Sequence, residues 1–275
     1  MKLVPVLFFS LLTIAAVRDV WAAHGNYRLV SLLKLSVWTH GSYCFTRKCE
    51  PAGYNHSHKP WTIFGLIPLQ PDGKRIPTNC SDVKLNFTTL KPILPELIAT
   101  WPSFTSEKPE HVWERRFKHF GQCAISHDET AMVSAYDYFK TAILLYDGLK
   151  IDENFKLGGI SQNNITPVSL SRINWLFNGQ NKAIEFYCEG NRSGYDVLQR
   201  MKFCYHPRSL RAISCPKIAN ERPTCKTKQV WYLTNPAGDQ SKASDAIRTV
   251  NTTCELVMIA VLFYTLLTLK DMSIN

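Results

Sequence analysis

Polar and apolar residues alternate near the start of the chain, and this pattern predicts a strand. Residues 27–38, with the sequence YRLVSLLKLSVW, alternate roughly between the two classes and are rich in β-formers. We expect this strand to enter the core. The next stretch, residues 40–60, is rich in Gly, Pro, His and Asn, which is typical of a loop.

Apolar residues at helical spacing follow further along. A short helix is predicted for the segment PELIATW within residues 85–101, with a proline at its start, and another for the charged and aromatic run Glu110–Phe120. The clearest helix is predicted over residues 131–149, where one apolar stripe recurs at spacings of 3, 4 and 3: Tyr136, Phe139, Ile143 and Tyr146. We interpret this stripe as core packing rather than as a cofactor site.

The pattern changes from helical to strand-like after a last predicted helix. Thr166 as N-cap and Pro167 at the first helical position predict a helix that runs through SLSRINWLF and ends at Asn178 and Gly179. Three short β-rich segments follow: AIEFYCEG, VLQRMKFCYH and QVWYLTNP. Because helices and strands do not alternate regularly, we expect an α+β fold, and no internal repeat is visible.

Both ends of the chain carry apolar segments outside the predicted domain, residues 23–236. Residues 1–22 have the basic, apolar and small-residue regions of a secretory signal peptide, with an N-terminal membrane anchor as the alternative. A polar spacer, 237–255, precedes an apolar tail, 256–269, that is short for a membrane span. Three interpretations of the tail stay open: a signal for a lipid (GPI) anchor, a retained membrane-associated helix, or a segment that simply packs or is removed.

Cysteines and sequons both indicate an oxidising, extracellular setting. The chain has 9 cysteines, enough to suggest disulfides behind a signal peptide. It also carries Asn-x-Ser/Thr sequons, which predict a glycosylated surface, at Asn55, Asn79, Asn86, Asn164, Asn191 and Asn251. We therefore expect a secreted protein, or one anchored at the cell surface.

The chain is basic, with a formal net charge of +10. This charge favours anionic partners such as nucleic acid, sulfated glycans or acidic membrane surfaces, although a merely soluble basic protein would have it too. The chain has no Gly-x-Ser-x-Gly, P-loop or dinucleotide motif, which argues against serine hydrolases and phosphate-loop enzymes. We expect no cofactor and no metal, since His40, His56 and His58 lack supporting ligands nearby.

Two segments resemble the active-site blocks of the ribonuclease T2 family. Trp61–Pro68 (WTIFGLIP) is similar to W-T-I-H-G-L-W-P at six of eight positions, and Arg115–Cys123 (RRFKHFGQC) to H-E-W-x-K-H-G-T-C. LIATWPS, at Leu97–Ser103, and WTHGSYC, at Trp38–Cys44, resemble two further family segments, the latter without its proline. The resemblance covers roughly Tyr27–Pro236. It implies the family's α+β fold, an antiparallel sheet packed with helices.

The resemblance also implies four disulfides. The family arrangement corresponds to Cys44–Cys49, Cys80–Cys123, Cys188–Cys225 and Cys204–Cys215, and all eight positions are cysteines. Cys254 is left over before the apolar tail. It is removed with the tail if a lipid anchor is attached, and is a candidate for palmitoylation if the tail stays.

The same resemblance places phenylalanine where the family has its catalytic histidines. Phe64 corresponds to the first histidine and Phe120 to the second, while Arg116 stands for the glutamate and His119 for the assisting lysine. The family forms a 2′,3′-cyclic phosphate by attack of the ribose 2′-hydroxyl, which needs a proton acceptor and a proton donor. A phenyl ring is neither. His119 could replace a lost group only if it faced the cleft, and helical spacing turns it away from positions 116 and 120.

The residues therefore predict an inactive member of the family that acts by binding RNA, a nucleotide, a glycan or a protein. The candidate ligand-binding residues are Phe64, Arg115, Arg116, Lys118, His119 and Phe120, because aromatic rings beside arginine can stack a base or hold a phosphate. Alternatively, the phenylalanines only fill an unused cleft, which is the interpretation we favour on sequence alone. The other functional alternative is an endoribonuclease that uses substitute catalytic groups.

Overall fold

A computed structural model of the protein describes residues 30–47, 49, 59–76, 80–126, 128, 130–178, 184–216 and 225–234. Several sequence predictions lie outside these residues and stay predictions: the signal peptide, the spacer, the apolar tail, Cys254, and the sequons at Asn55, Asn79 and Asn251. Among the described helices, none combines the length and the apolar character that crossing a bilayer requires.

One seven-stranded sheet lies at the centre of the described residues. Strands β1 (Leu32–Thr39) and β2 (Trp61–Leu69) are buried along their whole length, which explains their nearly continuous apolar sequences. The long strand β5 (Tyr195–Tyr205) pairs with the other edge of β1. The order is β2-β1-β5-β7-β3, and the shorter strands are β3 (Val168–Ser169), β4 (Glu185–Arg192), β6 (Ala212–Ile213) and β7 (Gln229–Trp231).

The strand pairing is antiparallel, with one parallel pair among the described strands. β4 and β6 both pair with β5 in antiparallel fashion, whereas β5 and β7 run parallel. The first predicted strand corresponds to β1, and the three late β-rich segments correspond to β4, β5 and β7. The α+β fold expected from the sequence is confirmed.

Helices pack against the sheet. In chain order they are α1 (His40–Thr46), a 3₁₀ helix (Phe87–Ile93), α2 (Leu94–Thr100), α3 (Pro109–Arg116), a π-helix (Phe117–Gly121), α4 (Gln122–Ile125), α5 (Ala135–Asp147), α6 (Ile151–Leu157) and α7 (Leu170–Asn178). α5 is shorter than the predicted 131–149 because Ser134 caps it: the Ser134 side chain accepts a hydrogen bond from the Asp137 N–H.

Helix α5 fixes the position of β2 through two buried tyrosines. Tyr138 donates its hydroxyl hydrogen bond to the Leu66 carbonyl at 3.0 Å, and Tyr146 donates to the Trp61 carbonyl at 2.6 Å. Phe139 and Ile143 of the same helix are buried in the core. The core-packing interpretation of the aromatic stripe is therefore correct for these residues.

Two local predictions were wrong. Residues 40–46 form helix α1 instead of a loop, because tertiary packing overrides their composition: His40 and Gly41 are buried, and a Cβ at Gly41 would lie 2.2 Å from the Leu233 carbonyl oxygen. Thr166 and Pro167 do not open a helix. Val168 instead pairs with Val230 in the sheet, and α7 begins only at Leu170.

Four disulfides join the pairs that the family resemblance implies: Cys44–Cys49, Cys80–Cys123, Cys188–Cys225 and Cys204–Cys215. The prediction of four disulfides is confirmed. Cys80–Cys123 is the one that concerns the site, because it ties the segment after β2 to α4, directly after the π-helix.

Candidate functional site

Phe64 is the extra residue of a β-bulge in β2. Ile63 pairs with Val37 and Gly65 pairs with Ser36, so neighbouring β1 has no residue opposite Phe64. A bulge re-aims the side chain at its position. Here the ring of Phe64 packs edge-on against Trp38, with 5.0 Å between the ring centroids, and forms part of the wall of a pocket.

Two guanidinium groups lie over the ring of Phe64. The Cζ of Arg116, at the end of α3, is 3.8 Å from the ring centroid, and the Cζ of Arg200, in β5, is 4.1 Å from it. Two planar groups cannot both approach one face so closely, so the arginines flank the ring on opposite faces. Each contact is a cation–π interaction, of about 0.5–2 kcal/mol depending on desolvation.

Arg200 was not among the residues predicted from the sequence. It pairs with Trp38 of β1 and with Tyr187 of β4, and paired residues of antiparallel strands point to the same face. The signal was present in the segment VLQRMKFCYH, where Arg200 and Lys202 occupy alternate positions of a predicted strand. Basic residues on one face of a buried strand need a partner or a cleft.

The pocket has a cavity volume of about 210 Å³. Besides Phe64, three aromatic residues line it: Trp38, Tyr43 and Phe104. Trp38 and Phe104 stack on each other with 4.5 Å between ring centroids. The pocket therefore has an aromatic wall next to its basic residues.

Two arginines at the pocket are neutralised by carboxylates. Arg115 donates to both carboxylate oxygens of Glu107, one of them at 2.7 Å, and this hydrogen bonding lowers the pKa of Glu107. Arg47 donates to Glu189 at 2.6 Å, and this hydrogen bond raises the pKa of Arg47. These ion pairs leave little free charge on Arg115 and Arg47.

Arg116 and Arg200 have no carboxylate partner among the described residues. Both side chains are largely buried, and the Nε of each is buried without a hydrogen-bond acceptor in the described part of the chain. Burial lowers the pKa of Arg116 to about 10 and also lowers the pKa of Arg200. Both groups stay charged at neutral pH, so the pocket contains two uncompensated positive charges.

Only half of the predicted ligand-binding residues line this pocket. Phe64, Arg115 and Arg116 do. Lys118 and His119 are exposed and lie outside it, and Phe120 is buried.

Phe120 packs beneath the bulge rather than beside the pocket. A Cβ at Gly65 would lie 3.3 Å from Phe120 Cε2, which is closer than ordinary van der Waals contact. Glycine at this position therefore allows the Phe120 ring to pack against the strand. The helix predicted to continue through Phe120 becomes a π-helix at Phe117. Arg116 and Phe120 nevertheless point inward while His119 points outward, as the helical spacing predicted.

Among the described residues that line the pocket there is no histidine, and the one carboxylate is Glu107. His40 lies behind Phe104, with 4.9 Å between ring centroids, and burial lowers its pKa to about 4. His40 Nε2 is 3.2 Å from Sγ of Cys44, a disulfide sulfur and therefore not a thiolate ligand for a metal. His56 and His58 lie outside the described residues. The arrangement suits anion binding better than proton transfer.

Comparisons with known proteins agree with this fold. The family model described as the ribonuclease T2 family matches residues 31–215. None of the curated proteins matches the chain.

Solved structures give the same result at low identity. RNase NT in complex with 5′-AMP has a TM-score of 0.64 and 20% identity, covering 74% of this chain and 98% of that one. An RNase-related protein from Calystegia sepium has a TM-score of 0.62 and 17% identity, with coverages of 75% and 98%. Ribonuclease MC1 from the seeds of bitter gourd has a TM-score of 0.61 and 18% identity, with coverages of 74% and 100%.

The family model spans both motif blocks and most of the sheet. It matches residues 31–215, more than half of the 275 residues. The chain belongs to the ribonuclease T2 family.

Proposed function

We propose that this protein is a non-catalytic member of its family that binds RNA or a nucleotide in the arginine-lined pocket. One observation carries the proposal: Phe64, at the position of the family's first histidine, lies between the guanidinium groups of Arg116 and Arg200. Each positioned acid or base contributes about 10²–10⁴ in rate, so losing both histidines removes most of the catalysis. The residues that surround Phe64 favour retention of an anion.

Phosphate is the anion that the pocket chemistry favours. A guanidinium group presents a planar fork of donors that matches phosphate oxygens, and two such forks are available here. Trp38, Tyr43 and Phe104 supply aromatic surface on which a base can stack. RNase NT, with the same fold, has a structure in complex with 5′-AMP, which supports a nucleotide ligand.

The proposed setting is extracellular, as a secreted or cell-surface glycoprotein. Four disulfides support an oxidising compartment. The sequon residues Asn86 and Asn191 are exposed, which suits glycan attachment. A protein or glycan receptor, and membrane attachment through residues 256–269, stay predictions of the sequence alone.

The decisive experiment separates cleavage from binding. Purified protein is incubated with RNA at pH 5 and at pH 7.5, and 2′,3′-cyclic phosphate products are measured by mass spectrometry. We expect none. A labelled oligonucleotide should bind the protein but bind at least about tenfold more weakly to Arg116→Gln and Arg200→Gln, since each removes charge-assisted hydrogen bonds.

Arg211→Gln is the matched control. Arg211 is exposed, and its neighbour Ala212 pairs with Tyr205, which lies five residues and thus about 17 Å along β5 from Arg200. This variant loses the same charge and should bind normally. Cleavage that persists in His119→Ala protein, and that a mock purification lacks, would refute the non-catalytic assignment and favour the endoribonuclease alternative. Binding unchanged in both arginine variants would refute the pocket.

A further inference from the structure

The charge balance of the pocket points to a particular class of phosphate. Four arginines and two glutamates give a net formal charge of +2: Arg47, Arg115, Arg116 and Arg200 against Glu107 and Glu189. The glutamates already neutralise Arg47 and Arg115. The remaining two charges are those of Arg116 and Arg200, which lie on either face of one ring. A ligand with two negative charges would neutralise them, whereas one with a single charge would leave a buried cation.

The pocket also has unused hydrogen-bond donors. Three residues that line it carry a buried N–H group without an acceptor in the described part of the chain: Nε of Arg116, Nε of Arg200 and Nε1 of Trp38. Buried donors are normally paired, so these three groups leave the wall of the pocket rich in donors and poor in acceptors. A terminal phosphate offers three free oxygens and an internal phosphodiester offers two.

The ring of Phe64 forms part of the pocket wall and contacts both guanidinium groups. The two guanidinium carbons lie 3.8 and 4.1 Å from the same ring centroid, so their separation cannot exceed the sum of these two distances. The edge of an aromatic ring carries positive partial charge. A tetrahedral anion at the pocket edge of Phe64 would therefore meet positive potential from the ring and from both guanidinium groups.

Resting on the proposed function, we infer that the pocket selects the dianion of a phosphate monoester, such as the terminal phosphate of a nucleotide, over the internal phosphodiester of an RNA chain. The other two arginines at the pocket are already paired with Glu107 and Glu189, so they offer no free charge to further phosphates along a chain. A monoester can come from a nucleotide, a sugar phosphate or free phosphate. The aromatic wall of Trp38, Tyr43 and Phe104 adds affinity only for the nucleotide.

The test compares four ligands by isothermal titration calorimetry with the full disulfide-bonded chain: 5′-AMP, ribose 5-phosphate, inorganic phosphate, and the dinucleoside ApA, which has one internal phosphodiester and no terminal phosphate. At pH 7.5 we expect 5′-AMP to bind at least about tenfold more tightly than ApA. This ratio corresponds to the free energy of one charge-assisted hydrogen bond. Arg116→Gln and Arg200→Gln should each weaken 5′-AMP binding by about tenfold or more, and Arg211→Gln should not. Far-UV circular dichroism shows that each variant is folded.

The pH dependence provides a second, independent measurement. The second pKa of a phosphate monoester is about 6, so the dianion is lost as the pH falls from 7.5 to 5 and 5′-AMP should bind about tenfold more weakly. A phosphodiester keeps its single charge, so ApA binding should not change. The titratable and charged groups at the pocket are the four arginines, Glu107 and Tyr43. Glu189 is paired with Arg47, Tyr187 and Arg75 are near Arg200, and His40 lies behind Phe104. His111 is close enough to Glu107 to lower the pKa of Glu107. The control is therefore His111→Gln, in which the affinity for 5′-AMP should depend on pH as it does in the native protein.

The outcomes separate the two proposals. Equal affinity for ApA and 5′-AMP, with both weakened in the arginine variants, would overturn the monoester inference and leave the proposed function standing. Affinities that are indifferent to both arginine variants would overturn both. Inorganic phosphate or ribose 5-phosphate binding as tightly as 5′-AMP would support the dianion and refute the role of the aromatic wall.

Discussion

Replacing Arg116 by methionine should stabilise the fold and weaken anion binding. The guanidinium of Arg116 is largely buried and has no carboxylate partner among the described residues. Its charged form is therefore disfavoured in the folded state, and methionine keeps much of the side-chain length without the charge. Replacing a buried, uncompensated charge by an apolar residue is commonly neutral or stabilising.

The magnitude follows from the lowered pKa of Arg116. Burial brings it to about 10, well below its ordinary value. Each pKa unit corresponds to about 1.4 kcal/mol, which gives about 3 kcal/mol, or about 2 kcal/mol after allowance for partial solvation. Losing the contact with Phe64 costs about 1 kcal/mol. The net gain in the free energy of unfolding should be about 1 kcal/mol, which raises Tm by about 2–4 °C in a domain of this size.

The sign of the pH dependence is fixed by the direction of the shift. Because the folded pKa of Arg116 lies below the unfolded one, the penalty is present in full below about pH 10 and is relieved only as the pH rises above about 10. The stability gain of Arg116→Met should therefore be the same at pH 5.5 and at pH 8. Thermal unfolding followed by near-UV circular dichroism in phosphate-free buffer measures it.

The neighbouring residue provides the control for this prediction. Arg115→Met removes an exposed arginine that has a carboxylate partner, Glu107, and should change stability by no more than about 0.5 kcal/mol. Adding 5′-AMP should raise the Tm of the native protein more than that of Arg116→Met, since a ligand stabilises the folded state more the more tightly it binds. A loss of stability of more than 1 kcal/mol in Arg116→Met would show that the charge is compensated, and the reasoning would fail.

Two further predictions concern the frame of the pocket and the glycans. Replacing Cys80 and Cys123 by serine opens a loop with a sequence separation of 43, which should lower the free energy of unfolding by about 4 kcal/mol in urea titrations; an unchanged midpoint would contradict it. Glycans should occupy Asn86 and Asn191, whose side-chain oxygens cap local turns while their Nδ2 groups make no hydrogen bond among the described residues. Asn164 should carry little glycan because its Nδ2 donates to Thr234 at 2.7 Å. Peptide mapping after enzymatic deglycosylation measures the occupancy of each site, and full occupancy of Asn164 would contradict the prediction.

Sequence patterns identified most of the fold and part of the site. The motif around Trp61 located Phe64 because family blocks are contiguous in sequence, and the apolar stripe of α5 located a buried helix because helical spacing is local. The late strands were found from their β-rich composition. Helix α1 was missed because its burial against Leu233 depends on a contact between distant parts of the chain.

The site residues that the sequence missed also depend on contacts between distant parts of the chain. Lys118 and His119 were predicted because they neighbour Arg116 in sequence, yet a helix turns adjacent side chains by about 100°, so they face solvent. Arg200 lies far from the motifs in sequence and reaches the pocket only because β5 pairs with β1. Strand order is a non-local property, and neither composition nor periodicity determines it.

Arg200 also favours one of the two interpretations of the cleft that the sequence left open. If the phenylalanines only filled an unused cleft, the surrounding residues would gain stability by being apolar. Instead, two guanidinium charges lie on either face of Phe64, with their Cζ atoms 3.8 and 4.1 Å from the ring centroid. At an effective dielectric constant of 20 their repulsion is about 2 kcal/mol, in addition to the desolvation of each group. The ring offsets part of this cost by two cation–π contacts, and a bound dianion would offset the rest. The two arginines without carboxylate partners therefore favour the proposed anion-binding pocket over a cleft that the phenylalanines only fill.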